Sequence, residues 1–357
     1  MDIAQHLTDA RPQHSLPRPS RWWLWAVAAL CAVAALVAVL RLFVFSSTGQ
    51  ALEYATFAPV QAYMDAETTR STLSRILALL PAVGLILAGA ATLAIAAVRQ
   101  RLAPAVAVVV AVVGANVTTQ ALKALLDRPV FDNAVPYLAG NSAPSGHTTL
   151  AASAAVALLL AASPRWRGPA AVLGALFTIL VGVAAYLEAW HRPADMVAAA
   201  LVAVAWGFIA APWVQRWDRP VAPAHRLTCH TASGAEALLW TAGTLVTVAA
   251  VVAMAVIAMR LPQGHTPGTA VAVGTGIALA SGPAALAFAT LLTGLRRELR
   301  WQRRRARPAA LLADGFETGP AVPIDARAPE AQAPEAQPQP PARPNWPPPD
   351  RSDLSQR

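Results

Sequence analysis

Residues 102–123 read LAPAVAVVVAVVGANVTTQALK, a run that carries no charge until its last residue. A helix rises about 1.5 Å per residue, so roughly 20 mostly apolar residues cross a bilayer core. The stretch therefore predicts a transmembrane helix. It is not uniformly apolar, because Asn116, Thr119, Gln120 and Lys123 recur at i, i+3, i+4 and i+7 and so share one helical face. Polar groups are costly in hydrocarbon and turn toward a partner helix or a water-filled cavity. Two readings of this stripe stay open: a packing seam whose lysine snorkels to the headgroups, or one wall of a polar site. Lys123 is the only lysine among 28 basic residues.

Seven further stretches have the same character: 22–45, 76–98, 147–163, 168–189, 193–215, 237–259 and 268–295. The first is too long for the apolar core of a cleaved signal, which runs about 7–15 residues. The composition agrees, with 56% hydrophobic and 13% charged residues where a soluble domain carries about a quarter charged. The expected fold is all-α, a polytopic membrane helix bundle with a six-span core and two extra C-terminal spans. In this division residues 1–21 are a cytoplasmic N-terminal segment, 22–216 the core and 217–236 a cytoplasmic connector. Residues 237–295 hold the additional helices, and 296–357 form a basic, then Pro-rich, disordered tail.

The formal net charge of +9 does not predict a nucleic-acid partner, because the arginines gather in short connectors and in the tail. Placing Arg11, Arg18 and Arg21 in the cytoplasm also puts Arg99, Arg101, Arg165, Arg167, Arg216, Arg219, Arg226 and the arginine run 296–307 inside. That is the positive-inside pattern, and it predicts an integral protein of a bacterial plasma membrane with both termini cytoplasmic. Cys31 and Cys229 give no disulfide framework. No zinc spacing, Walker loop or dinucleotide glycine pattern occurs, so neither metal nor cofactor is expected.

Two outward loops hold most of the reactive polar residues. From Lys123 to Thr149 the chain reads KALLDRPVFDNAVPYLAGNSAPSGHTT, and from Tyr186 to Met196 it reads YLEAWHRPADM. Pro144-Ser145-Gly146-His147 opens the fourth span. Unpaired N–H groups at a helix N-terminus suit a phosphate, with Ser145 as a further donor and Gly146 admitting close approach. The bland alternative is a helix cap beside an interfacial His147. His191-Arg192-Pro193-Ala194-Asp195 opens the sixth span, with Pro193 at the favoured first helical position. Asp195 then lies in the first turn, where it either orients the imidazole of His191 or serves only as a cap. Two histidines, a lysine, arginines and an aspartate on one membrane face point to a site rather than to coincidence.

These residues resemble the type 2 phosphatidic acid phosphatase family, which shares its core with the vanadium haloperoxidases. Its second motif, Pro-Ser-Gly-His, stands intact at residues 144–147. The third, Ser-Arg-x5-His-x3-Asp, keeps His191 and Asp195, and the first, Lys-x6-Arg-Pro, keeps Lys123. The resemblance covers about residues 76–215. It implies a membrane phosphatase that hydrolyses a phosphomonoester or diphosphate of a lipid (phosphatidate-like or polyprenyl) at the outer face. His191 would be the nucleophile, Asp195 its orienting carboxylate and His147 the acid and base. Lys123, Ser145 and Gly146 would hold the phosphoryl oxygens, with membrane lipids as surroundings and a lipid phosphate as partner. Two departures stand out: Val130 occupies the first motif's arginine position, and Ala184 and Ala185 occupy the Ser-Arg of the third. Arg128 and Arg192 are the candidate substitutes. The alternative function is a degenerate member that binds phosphorylated lipid without turnover.

Overall fold

The computed structural model describes residues 21–66, 79–84, 86–87, 89–90, 94, 102–131, 141–216 and 228–317. Its long helices are α1 (Trp22–Phe43), α2 (Ser47–Ala66), α3 (Leu102–Leu125), α4 (Gly146–Ala161), α5 (Arg167–Leu187), α6 (Pro193–Arg216), α7 (Thr228–Arg260) and α8 (Thr269–Glu317). Among the described residues there is no strand. Helices α1, α3, α5, α6, α7 and α8 are long and apolar enough to cross a membrane, and α4 is a shorter apolar helix of 16 residues. The chain is thus an all-α polytopic bundle with the marks of an integral membrane protein. The expected span at 76–98 lies mostly outside the described residues.

Small side chains make the centre possible. With lipid outside, the bundle gains from close packing and interhelical hydrogen bonds rather than from escape of apolar surface from water. Helix α4 buries Ala151, Ala152, Ala154 and Ala155, and α6 buries Ala198, Ala199, Ala203 and Ala211, so their backbones approach closely. Outward-facing Val106, Val109, Val110, Val113 and Val117 of α3 stay exposed, as lipid contacts should.

Three boundaries differ from the sequence reading. Helix α2 falls where only a connector was expected. Its sequence, STGQALEYATFAPVQAYMDA, has low overall hydrophobicity and an internal proline at Pro59, so no apolar run announces it. Its buried face mixes Gln50, Glu53 and Thr56 with Phe57 and Val60, which hides the helical period. Helix α7 begins at Thr228, inside the expected connector. Helix α8 runs past 295 to Glu317, and its first basic residue finds a partner: Arg296 Nη1 donates to Glu236 Oε2 on α7, where Thr293 also donates to Glu236 Oε1 at 2.6 Å. Residues 318–357, the rest of the expected tail, lie outside the described residues.

Helix α8 is built into the core. Leu291, Leu292 and Leu295 are fully buried and share one apolar cluster with Val156, Leu159 and Phe208 of α4 and α6. Gln215 Nε2 of α6 donates to the Leu295 carbonyl at 3.1 Å. Near its other end, Gly276 faces Tyr186 of α5 so closely that an added Cβ would overlap the phenol ring. Tyr186 has little room to yield, since its hydroxyl donates to the Thr56 carbonyl of α2 at 2.7 Å. Overpacking of this kind costs about 1–3 kcal/mol. Gly276→Ala should therefore lower the unfolding midpoint in detergent, and Gly276→Leu should lower it further. Unchanged midpoints for both would show that Tyr186 is not wedged.

Candidate active site

Four helix ends meet at one end of the bundle: the last turn of α3 with Lys123, the start of α4, the end of α5 and the start of α6. A backbone bond ties the two helix starts together, Ser145 N donating to the Asp195 carbonyl at 3.0 Å. Ser145 is the N-cap of α4, its extended backbone placing Oγ to accept from Thr148 N at 3.3 Å and from Thr148 Oγ1 at 3.0 Å. Capping satisfies one otherwise unpaired N–H of the first turn. Both acceptor positions of this hydroxyl are taken, and its own proton remains to donate.

Asp195 is buried and its Oδ2 gathers three donors. Ser142 Oγ lies at 2.6 Å, the Arg192 backbone N at 3.1 Å and His191 Nδ1 at 3.2 Å. The aspartate thus both caps the chain entering α6 and orients the imidazole, so the two readings of this residue hold together. A carboxylate on Nδ1 fixes the proton there and leaves the lone pair on Nε2. The loop that delivers His191 leaves α5 through Ala189, whose φ of 54° is left-handed. The N–H groups of Trp190 and His191 both donate to the Ala185 carbonyl, at 3.0 and 3.2 Å. Ala185 therefore contributes its backbone where the family motif has an arginine side chain.

Across from this pair, the His147 ring stands 6.3 Å from that of His191, centroid to centroid, and is backed by Trp190 at 5.3 Å. Gly146 opens toward α3: a Cβ there would sit 3.7 Å from Lys123 Nζ and 3.8 Å from Gln120 Nε2. The polar stripe of α3 divides accordingly. Asn116 donates to Ser153 Oγ at 3.1 Å, and Thr119 shares a 2.9 Å bond with Thr149. These are interhelical seams, while Gln120 and Lys123 lie at the mouth of the site.

The two candidate substitute arginines have different fates. Arg192 is buried, and its Nη1 donates to Ser142 Oγ at 3.4 Å, which keeps it beside Asp195. Arg128 is also buried but turns to α2, where Nη2 donates to Glu53 Oε2 at 2.9 Å and to the Phe43 carbonyl at 3.3 Å. Val130, at the family's arginine position, is 78% exposed and contributes nothing inward. Burial and the nearby Asp195 carboxylate push Glu53 up to about 7, against the opposing pull of Arg128 and Arg192.

Sequence reading missed Ser142, Trp190 and Glu53. Ser142 stands three residues before the Ser145 cap and carried no spacing signal of its own, and Glu53 lies in the unannounced α2. Among the described residues no three His, Cys, Asp or Glu side chains converge as a metal site would.

Comparison with curated proteins and with solved structures gives no significant match. A family model does match: the PAP2 superfamily, over residues 78–219. That stretch contains Lys123, Arg128, Ser142, Ser145, Gly146, His147, Trp190, His191, Arg192 and Asp195, but not Glu53. Residues 78–219 thus match the PAP2 superfamily, a likeness that implies phosphatase action on phosphate esters.

Proposed function

We propose that the chain is a membrane phosphatase that hydrolyses a phosphomonoester or diphosphate of a lipid, at the outer face, through a phosphohistidine at His191. The observation that carries this reading is the His191–Asp195 contact facing His147. One imidazole is held in the tautomer that leaves Nε2 nucleophilic, and a second stands across a gap suited to a phosphoryl group. Phosphoryl transfer asks chiefly for in-line positioning and for donors on the equatorial oxygens. The open α4 N-terminus, Gly146, Ser145 and Lys123 offer such donors, and Arg192 adds a cation from the α6 side.

In the first half-reaction His191 Nε2 bonds to phosphorus as the ester oxygen leaves, taking a proton from His147. In the second, His147 removes a proton from water, which displaces the histidine and releases phosphate. The lipid preference rests on the setting, a site among the ends of bilayer-spanning helices. The outer-face assignment rests on the arginine distribution. The phosphatase core then corresponds to residues 22–216.

The test is phosphate release by purified protein in nanodiscs, from a panel of lipid phosphates and polyprenyl diphosphates, with EDTA present. Turnover of at least one lipid substrate that survives EDTA is the expected result. Activity confined to soluble phosphate esters, or activity that requires added Mg²⁺, would overturn the reading.

A further inference from the structure

Glu53 is a buried carboxylate to which the proposed chemistry gives no role. It comes from α2, outside the PAP2 stretch, yet it reaches Arg128 at 2.9 Å with both side chains almost wholly shielded, at 2% and 1% exposure. A buried ion pair is favourable only when its remaining donors and acceptors find partners. Here they do not: Glu53 Oε1 and Arg128 Nε and Nη1 have no hydrogen-bond partner among the described residues. The pair has spare capacity at both ends, with N–H groups for an anion's oxygens and a carboxylate oxygen able to take a proton.

Two other charges act on Glu53, the Asp195 carboxylate and the Arg192 guanidinium. Its neighbour Leu52 lies in an apolar cluster with Ala250, Met254, Ile257 and Leu279 of α7 and α8. Two carboxylates face two guanidiniums and, on Asp195, the Lys123 ammonium, a near balance of charge. A phosphoryl dianion arriving beside them upsets that balance in surroundings where water screens little. Neutralising one carboxylate relieves it.

We propose that Glu53 is a proton-linked counter-ion of the phosphate site: it holds Arg128 while the site is empty and takes a proton from solvent onto Oε1 when a phosphoryl dianion binds. The inference rests on the phosphatase reading above. It gives Arg128 a switchable function, committed to Glu53 at rest and released toward the substrate once its partner is neutral. The carboxyl already sits near 7, and an added dianion raises it further. Protonation and binding therefore favour each other, and affinity falls as pH rises above about 7.

Tungstate is a suitable probe, being a tetrahedral dianion with no titrating proton of its own near neutrality. Calorimetric titration of the full chain at pH 7.5, in two buffers of different ionisation enthalpy, counts protons taken up on binding. Wild type should take up a substantial fraction of one proton, and its apparent Kd should rise by up to about tenfold per pH unit above 7. Glu53→Gln should lose most of the linked proton, keeping only what His147 takes up, and should bind tungstate with a flatter pH profile and more tightly than wild type at pH 8. Uptake undiminished in Glu53→Gln, or abolished in His147→Ala instead, would overturn the assignment. Should Glu53→Gln fail to fold, a difference infrared spectrum of wild type decides: tungstate must increase the protonated-carboxyl band, and no change there overturns the proposal. Binding without proton uptake sinks the Glu53 role alone, and phosphate release from the lipid panel shows whether the phosphatase reading stands.

Discussion

His191→Ala abolishes phosphate release, by more than about 10⁴-fold, equivalent to roughly 5.5 kcal/mol or more of transition-state stabilisation. The size follows from what is removed. Without Nε2 there is no atom to bond to phosphorus, and no neighbouring side chain replaces it, since Asp195 is occupied by Ser142 and the Arg192 N–H. The donors around the phosphoryl position survive, so binding of tungstate should change little while kcat collapses. Acid-stable and base-stable adducts of radiolabelled substrate separate the cases further: rapid quench in alkali should trap phosphohistidine in wild type and none in the variant. Turnover within tenfold of wild type would remove His191 as the nucleophile. Free imidazole restoring part of the rate would support the assignment, because the deleted ring leaves a pocket of its own shape.

What the sequence discloses, and what it hides, divides along the range of the interactions. Long apolar runs give the spans directly, because the bilayer imposes a length and a composition that local sequence must meet. The site residues carried on helix starts, Ser145 to His147 and His191 to Asp195, are legible for a related reason. Cap geometry and the i to i+4 reach from His191 to Asp195 are local properties. The unread parts depend on contacts between distant segments. Arg128 looked like a free cation for the phosphate, but its partner Glu53 is 75 positions earlier, on a helix with no apolar signature. The stripe on α3 looked uniform in sequence. Only the placement of Ser153 and Thr149 on α4 separates Asn116 and Thr119, which bind helices together, from Gln120 and Lys123. The role of α8 was equally hidden, since lipid contact and core contact both call for apolar residues. Gly276 against Tyr186 shows which it is.

Asp195→Asn is expected to lower kcat by about 10³- to 10⁴-fold, close to the loss for the nucleophile itself. The carboxylate accepts three hydrogen bonds on Oδ2, and an amide offers one acceptor oxygen and one NH₂ in the same volume. All three donors sit on one oxygen, so an amide oxygen placed there keeps them only as neutral contacts, and the flipped amide sets its NH₂ against the imidazole. A donor there demands a lone pair on Nδ1, which moves the proton to Nε2, the atom that must attack. A tautomer trapped in this way is worth on the order of 10⁴ in rate where the same carboxylate–imidazole arrangement serves an enzyme. The negative charge that steadies the cationic imidazole in the transition state is lost as well. The fold should largely endure, because the backbone bond from Ser145 to the Asp195 carbonyl does not involve the side chain. Thermal unfolding within a few degrees of wild type, with KM nearly unchanged and kcat down by three orders of magnitude or more, is the expected pattern. A helix cap and nothing else would give the reverse: an asparagine caps about as well as an aspartate, so turnover would stay near wild type. That outcome would leave His191 without an orienting partner and the phosphohistidine route without its nucleophile.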